Sequence, residues 1–224
     1  MIGKTRKDEV MGSIKGKHGR LGILATVLIS FALASCSILP TPKAAPQLYT
    51  LSPKSTYKKS MPVVNWQLAV DLPIAPSGLN APRIAVVRSP LTIDYFAGAQ
   101  WIDNAPAMVQ RLLIESFENS QKIIGVGRLT VSLRADYILR TELREFQAEY
   151  YETGKGPPNI FVRVNAKLVK MPQRKIIASA TFDRKLPSPN NTKTGIIKTF
   201  DRALGKVMRD IVVWTINTPS RSGG

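Results

Sequence analysis

Apolar residues recur along this chain with two periods, and the places where the period changes outline its elements. From Ile160 the even positions Val162, Val164, Ala166 and Leu168 are apolar, while Arg163, Asn165 and Lys167 face away. Ile176, Ala178, Ala180 and Phe182 repeat the pattern after a turn at Pro172-Gln173-Arg174. The stretch from Asp136 to Tyr150 starts with Tyr137, Leu139, Thr141 and Leu143 on one face, then changes phase to Phe146, Ala148 and Tyr150. If one face stays buried throughout, that change calls for a bulge or for a strand that moves from one environment to another. These three segments predict an antiparallel meander, wet on one face. Shorter strands are expected at Gln47–Leu51, Trp66–Ile74, Ile84–Arg88, Leu91–Tyr95 and Ile123–Val126.

The helical period appears twice in the body of the chain. Asp103-Asn104-Ala105-Pro106 predicts a helix start, with a capping side-chain oxygen followed by proline in the first turn. Ala105, Met108, Val109, Leu112, Leu113 and Phe117 then form one apolar face to about Asn119, with Gln110, Arg111, Glu115 and Glu118 elsewhere. That face predicts core packing; a ligand groove lined by it is the alternative. Pro187 to Thr192 breaks the chain again, and Asn191 or Thr192 is placed to cap a last helix. Its stripe is Ile196, Ile197, Phe200, Leu204, Val207, Met208 and Ile211, extended by Trp214. The whole predicts one α+β domain: a mixed sheet with a C-terminal antiparallel meander and two main helices packed on one face.

The longest uncharged run lies outside this domain. Leu21 to Ala34 carries no charge and follows Lys15, Lys17 and Arg20, the layout of a secretory signal. A helix of that length rises about 21 Å against about 30 Å of hydrocarbon, too short for a comfortable membrane span. Leu33-Ala34-Ser35-Cys36 resembles the lipobox of bacterial lipoproteins, which implies that the Cys36 thiol takes a diacylglyceryl group, carrying acyl chains such as palmitate, and that cleavage falls just before it. Cleavage after Ala32-Leu33-Ala34 is the competing reading. The lipobox also accounts for the position of the single cysteine in 224 residues. By resemblance to lipoprotein sorting, Ser37 after the cysteine implies the outer membrane of a Gram-negative envelope, facing the periplasm. Asp8 and Glu9 suit a signal poorly, so translation from Met11 instead of Met1 is a second open choice.

The expected organisation is therefore residues 1–35 as lipoprotein signal peptide, 36–46 as a flexible tether, 47–217 as the α+β domain and 218–224 as a disordered tail. The tether, with three prolines, spans at most about 33 to 36 Å. The chain holds 32 Lys and Arg against 15 Asp and Glu, net +17, and the part from Cys36 onward keeps 26 against 13. Such a surplus favours anionic surfaces, and export excludes nucleic acid. Arg140, Glu142 and Arg144 with Arg163 and Lys167 could form a binding surface, or a solvated face with cross-strand ion pairs. The single histidine, His18, lies before the cleavage site. The exported chain therefore lacks Ser-His-Asp, Cys-His and histidine-based zinc chemistry, and no cofactor or metal is expected. A hydrolase built on Asp94 or Asp136 with a Tyr or Lys is the residual enzymatic reading.

Gln47-Leu48-Tyr49-Thr50-Leu51 with Pro53, Leu72-Pro73, Ile84 to Arg88, Ala99-Gln100-Trp101 leading to Met108-Val109-Gln110, and Asp136-Tyr137-Ile138-Leu139 ahead of Phe146 resemble the ABC-type transport auxiliary lipoproteins, a group that includes paraquat-inducible protein C. The resemblance runs from about residue 47 to 217. It implies a non-catalytic component of an envelope lipid transporter, which docks or receives an MCE-domain substrate-binding protein served by a permease and ATPase. It also implies phospholipid or sterol-like cargo and possible assembly into a homo-oligomeric ring. The ATP chemistry is expected elsewhere, because this chain lacks a G-x-x-x-x-G-K-[ST] loop. The other function compatible with an exported, basic, lipid-anchored domain is an envelope structural or regulatory lipoprotein that activates a cell-wall enzyme.

Overall fold

Strand β6, Tyr137–Glu149, is the spine of the molecule, because every other part of the sheet is placed by which stretch of it is paired. The computed structural model describes residues 44–130, 134–150 and 156–221. Along one edge β6 pairs antiparallel with β7, Asn159–Lys170, which pairs in turn with β8, Lys175–Pro187. The other edge is shared. Its first residues, Tyr137 to Leu139, take β2, Val64–Val70, in parallel, and its last, Gln147 to Glu149, take β3, Arg83–Ser89, also in parallel. Beyond β2 lies β5, Ile123–Arg128, and beyond β3 lie β4, Thr92–Trp101, and the short β1, Gln47–Tyr49. The result is one mixed eight-stranded sheet.

Two helices cover one face. Helix α1, Ala105–Ser120, packs near β5 and β2, and α2, Lys193–Arg221, packs over β7 and β8. Met108, Val109, Leu112, Leu113 and Phe117 of α1, all at most 1% exposed, join Phe200, Leu204, Val207 and Met208 of α2 in one core. The apolar face of α1 is thus core and lines no groove. Trp101, Phe146 and Phe200 meet at its centre with ring centroids 5.1 to 5.3 Å apart, tying β4, β6 and α2 together. Such aromatic contacts contribute about 0.5 to 1.5 kcal/mol each beyond burial.

The phase change in β6 is a bulge: the pairing with β7 shifts register between Leu143 and Glu145, which keeps Leu143 and Phe146 both in the core. Thr192 caps α2, its Oγ1 accepting from the Gly195 N–H at 3.1 Å. Helix α2 continues to Arg221, past the expected domain boundary at 217. Residues 222–224, the last three of the expected tail, lie outside the described residues.

Several local expectations are corrected. Asn104 makes no side-chain capping bond; instead the Asp103 carboxylate accepts from the Asn104 N–H at 2.7 Å. Gln110, placed off the apolar face by its polarity, is buried and donates its amide to the Val70 carbonyl at 3.1 Å. β2 stops at Val70, and β4 runs on to Trp101, joined to β3 by a hairpin over Pro90-Leu91. In β8 a register shift opposite Leu168 and Val169 moves Ile176 off the buried stripe, leaving it 54% exposed.

Candidate functional site: the open face of the sheet

The sheet face opposite the helices carries the charges singled out in the sequence, because β-strand side chains alternate in direction. Arg140, Glu142 and Arg144 share one parity of β6, and Asn165 and Lys167 stand beside them on β7. The expected ion pairs between these strands do not form. Arg144 pairs with Glu142 on its own strand at 2.8 Å, Arg140 reaches Asp71 after β2 at 3.5 Å, and Arg163 lies over the Phe161 ring at 4.6 Å. Asn165 is also not solvated: its amide donates to the Ala180 carbonyl and to Thr181 Oγ1 on β8.

The register instead sets Arg140 directly opposite Lys167. Like charges so placed repel, and among the described residues Lys167 has no ion pair. Beside this pair lies an apolar patch. Ile138 and Val169 belong to a small second cluster with Ala69, and Ile176, turned out by the β8 irregularity, sits opposite Val169. Ile74 is held over them by backbone bonds with β6, its N–H donating to the Thr141 carbonyl at 3.0 Å and its carbonyl accepting from the Leu143 N–H at 2.8 Å. It is 74% exposed. Ile74, Ile138, Val169 and Ile176, with Leu129 and Met171, line a groove of about 680 Å³ rimmed by Arg140, Lys167 and Arg174 and by one acid, Glu142, which is paired with Arg144. Sequence periodicity could not find it, since Ile74, Leu129 and Ile176 come from three separate loops and strand ends.

Toward the other end of β6 the polar side chains are buried. Gln147 donates to Glu149 at 3.0 Å, and Lys185 of β8 meets the other Glu149 oxygen at 2.9 Å. At the bulge, burial raises the Glu145 carboxyl above the usual carboxylate range; Arg163 opposes the rise and Glu149 adds to it. A carboxyl with a raised folded-state pKa binds protons more tightly in the native chain than in the unfolded one. Stability is then lost as pH rises from the ordinary carboxylate value through the raised one. Glu145→Gln is expected to remove that loss, so urea midpoints of variant and parent, compared between about pH 4 and 7, should diverge in the variant's favour toward neutral pH.

Cys36 and the cleavage residues Leu33, Ala34 and Ser35 lie outside the described residues. Asp94 faces Arg88 at 3.9 Å, and Asp136 accepts from the Gln67 N–H at 2.8 Å, so both carboxylates have local contacts. Among the described residues no cluster of three or more His, Cys, Asp or Glu could hold a metal, and no helix is long and apolar enough to cross a membrane.

The family model for the ABC-type transport auxiliary lipoprotein component matches residues 47–212. A crystal structure of a protein from Xanthomonas campestris is 31% identical and superposes with a TM-score of 0.73, covering 79% of this chain and 98% of that one. The crystal structure of an uncharacterised protein, 14% identical, gives 0.59 over 75% of this chain and 97% of that one, a likeness of fold alone. An uncharacterised protein of Bradyrhizobium diazoefficiens is 26% identical over 121 residues, 54% of this chain. The match spans about a third of that relative, 32% of its length.

Proposed function

This chain belongs to the family of ABC-type transport auxiliary lipoprotein components, and from that membership we propose that it is the non-catalytic docking subunit of an MCE-type lipid transport system. In this reading Cys36, acylated after cleavage behind Leu33-Ala34-Ser35, holds the domain on the periplasmic side of the outer membrane. The MCE-domain substrate-binding protein, served by its own permease and ATPase, docks on the open sheet face, and phospholipid or sterol-like lipid passes through that partner. A homo-oligomeric ring would present several such faces around one axis.

The observation that carries the docking role is Lys167, set opposite Arg140 and without an ion pair among the described residues, beside an exposed aliphatic patch. An isolated domain gains nothing from either feature. An acidic partner with an apolar ridge would neutralise the first and bury the second.

Lys167→Glu separates binding from folding. Reversal converts a repelling cross-strand pair into an attracting one, so stability should hold or rise by about 0.2 to 1 kcal/mol. Capture of the MCE-domain protein and permease from crosslinked envelopes should nevertheless fall sharply. Undiminished capture by Lys167→Glu and by Ile176→Asp would move the docking site elsewhere. Recovery of wall-synthesis enzymes in place of transporter subunits would favour the regulatory lipoprotein role.

A further inference from the structure

A second hollow lies on the helix-covered side of the sheet, between the segment 52–62 and the outer surface of α2. The segment has no regular structure, yet it is held at several points. Asp201 accepts from the Ser52 N–H at 2.6 Å, Ser116 Oγ from the Lys54 N–H at 2.9 Å, and the Lys54 and Lys59 carbonyls accept from Asn119 and Lys122 side chains. Leu51 and Met61 anchor its two ends in the core. A wall fastened in this way is formed before any ligand arrives.

The cleft behind it measures about 830 Å³, within the roughly 300 to 1,000 Å³ typical of small-ligand sites. Its apolar surface comes from Tyr57, Met61, Val213 and Trp214. The Trp214 ring is steadied edge-on against Phe182, centroids 5.7 Å apart, and stays half-buried.

The rim is positive. Lys54, Lys58 and Arg209 line it against one acid, Asp210. That acid is already engaged, pairing with Arg184 and, at 3.0 Å, with Arg209. Among the described residues Lys54 Nζ reaches the Thr56 hydroxyl and no carboxylate, and Lys58 has no ion pair. A smaller hollow continues along α2 past Arg202 and Lys206 and shares Lys54 and Arg209 with the cleft.

We propose that this cleft binds an anionic amphiphile, its alkyl chain lying along Tyr57, Met61, Val213 and Trp214 and its carboxylate or phosphate head held by Lys54, Lys58 and Arg209. A neutral apolar ligand would leave the lysines uncompensated. A small anion would leave the aromatic and aliphatic wall unfilled. The site lies across the sheet from the docking face and does not depend on it.

The test uses the full lipidated chain in phosphatidylcholine nanodiscs, exposed to dodecyl phosphate carrying a diazirine in its alkyl chain. After irradiation, adducts are mapped by peptide mass spectrometry. They should fall in the peptides containing Tyr57 to Met61 and Val213 to Trp214. The double variant Lys54→Glu, Lys58→Glu alters side chains outside the core and should lower the yield by about tenfold, the loss expected when charge-assisted contacts to the head are removed. The matching photoreactive dodecanol should label weakly and ignore the variant. Inorganic phosphate should compete far less well than unlabelled dodecyl phosphate.

Adducts scattered over the surface, or a yield indifferent to both substitutions, would overturn the proposal. Phosphate competing as well as dodecyl phosphate would do so too, since the alkyl wall would then be idle. Capture of transporter partners by the same double variant should be unchanged, which keeps this outcome distinct from that of Lys167→Glu.

Discussion

Leu113→Asp should leave the domain unfolded or nearly so. Leu113 is fully buried on α1, between the sheet and α2, in the same core as Leu112, Phe117 and Met208. The substitution removes a buried aliphatic side chain, which costs about 2 to 5 kcal/mol with its cavity. It also places a polar group without a partner in that core, for about 1 to 3 kcal/mol more. Against a total stability of about 5 to 15 kcal/mol the sum is decisive. The carboxyl would meet the burial by staying protonated, so its folded-state pKa is raised, and the damage should lessen as pH falls through that raised value. Urea unfolding followed by circular dichroism, with Leu113→Met as the volume-conserving control costing less than about 1.5 kcal/mol, measures both effects. Near-native stability of the Asp variant at neutral pH would mean that this face of α1 is not core.

Cys36→Ala should abolish membrane attachment through lipid without touching the fold. Each buried methylene contributes about 0.8 kcal/mol, so two or three acyl chains on Cys36 would make attachment effectively permanent, and a variant without the thiol would keep none of the diacylglyceryl anchor. The core starts at Leu51, well after the anchor, so the thermal midpoint of the folded domain should be unchanged. Fractionation of envelopes and the intact mass of the N-terminal peptide read the outcome. The expected result is a soluble chain or an uncleaved precursor, with loss of the acyl mass. An unchanged membrane fraction and an unacylated parent peptide would instead support cleavage after Ala34 and remove the lipid anchor.

The helices and the meander were legible because their signal is local. The stripe Met108, Val109, Leu112, Leu113, Phe117 states a helix and its buried side within four turns, and the alternation from Val162 to Leu168 does the same for β7. The phase change in β6 was visible too, since Leu143 and Phe146 cannot both face the core of a regular strand, but the pairing with β7 decided that it is a bulge. Ile176 misled because its alternation is correct for an unbroken strand, and the irregularity opposite Val169 belongs to the pairing of two strands. Gln110 misled because its amide is satisfied by the Val70 carbonyl, a partner 40 residues away.

The open face of the sheet was half legible. Its charges were visible as one parity of β6 and β7, but whether they paired across strands depended on register and on Asp71 arriving from β2. The aliphatic patch beside them had no sequence signal, because its members come from strand ends far apart in the chain. The cleft against α2 had none either: Tyr57 and Trp214 are neighbours only after the sheet has brought residue 51 and helix α2 to the same side.

By itself, then, the sequence determined most element types, most of the buried faces, and the absence of histidine and cysteine side chains after Cys36. These follow from composition and from periods of 2 and 3.6 residues, which one window of chain contains. The tertiary structure decided that β2 and β3 share one edge of β6, that Arg140 confronts Lys167, and that two hollows of opposite position carry apolar walls with basic rims. Those depend on which distant segments pair and in what register, and no local period carries that information.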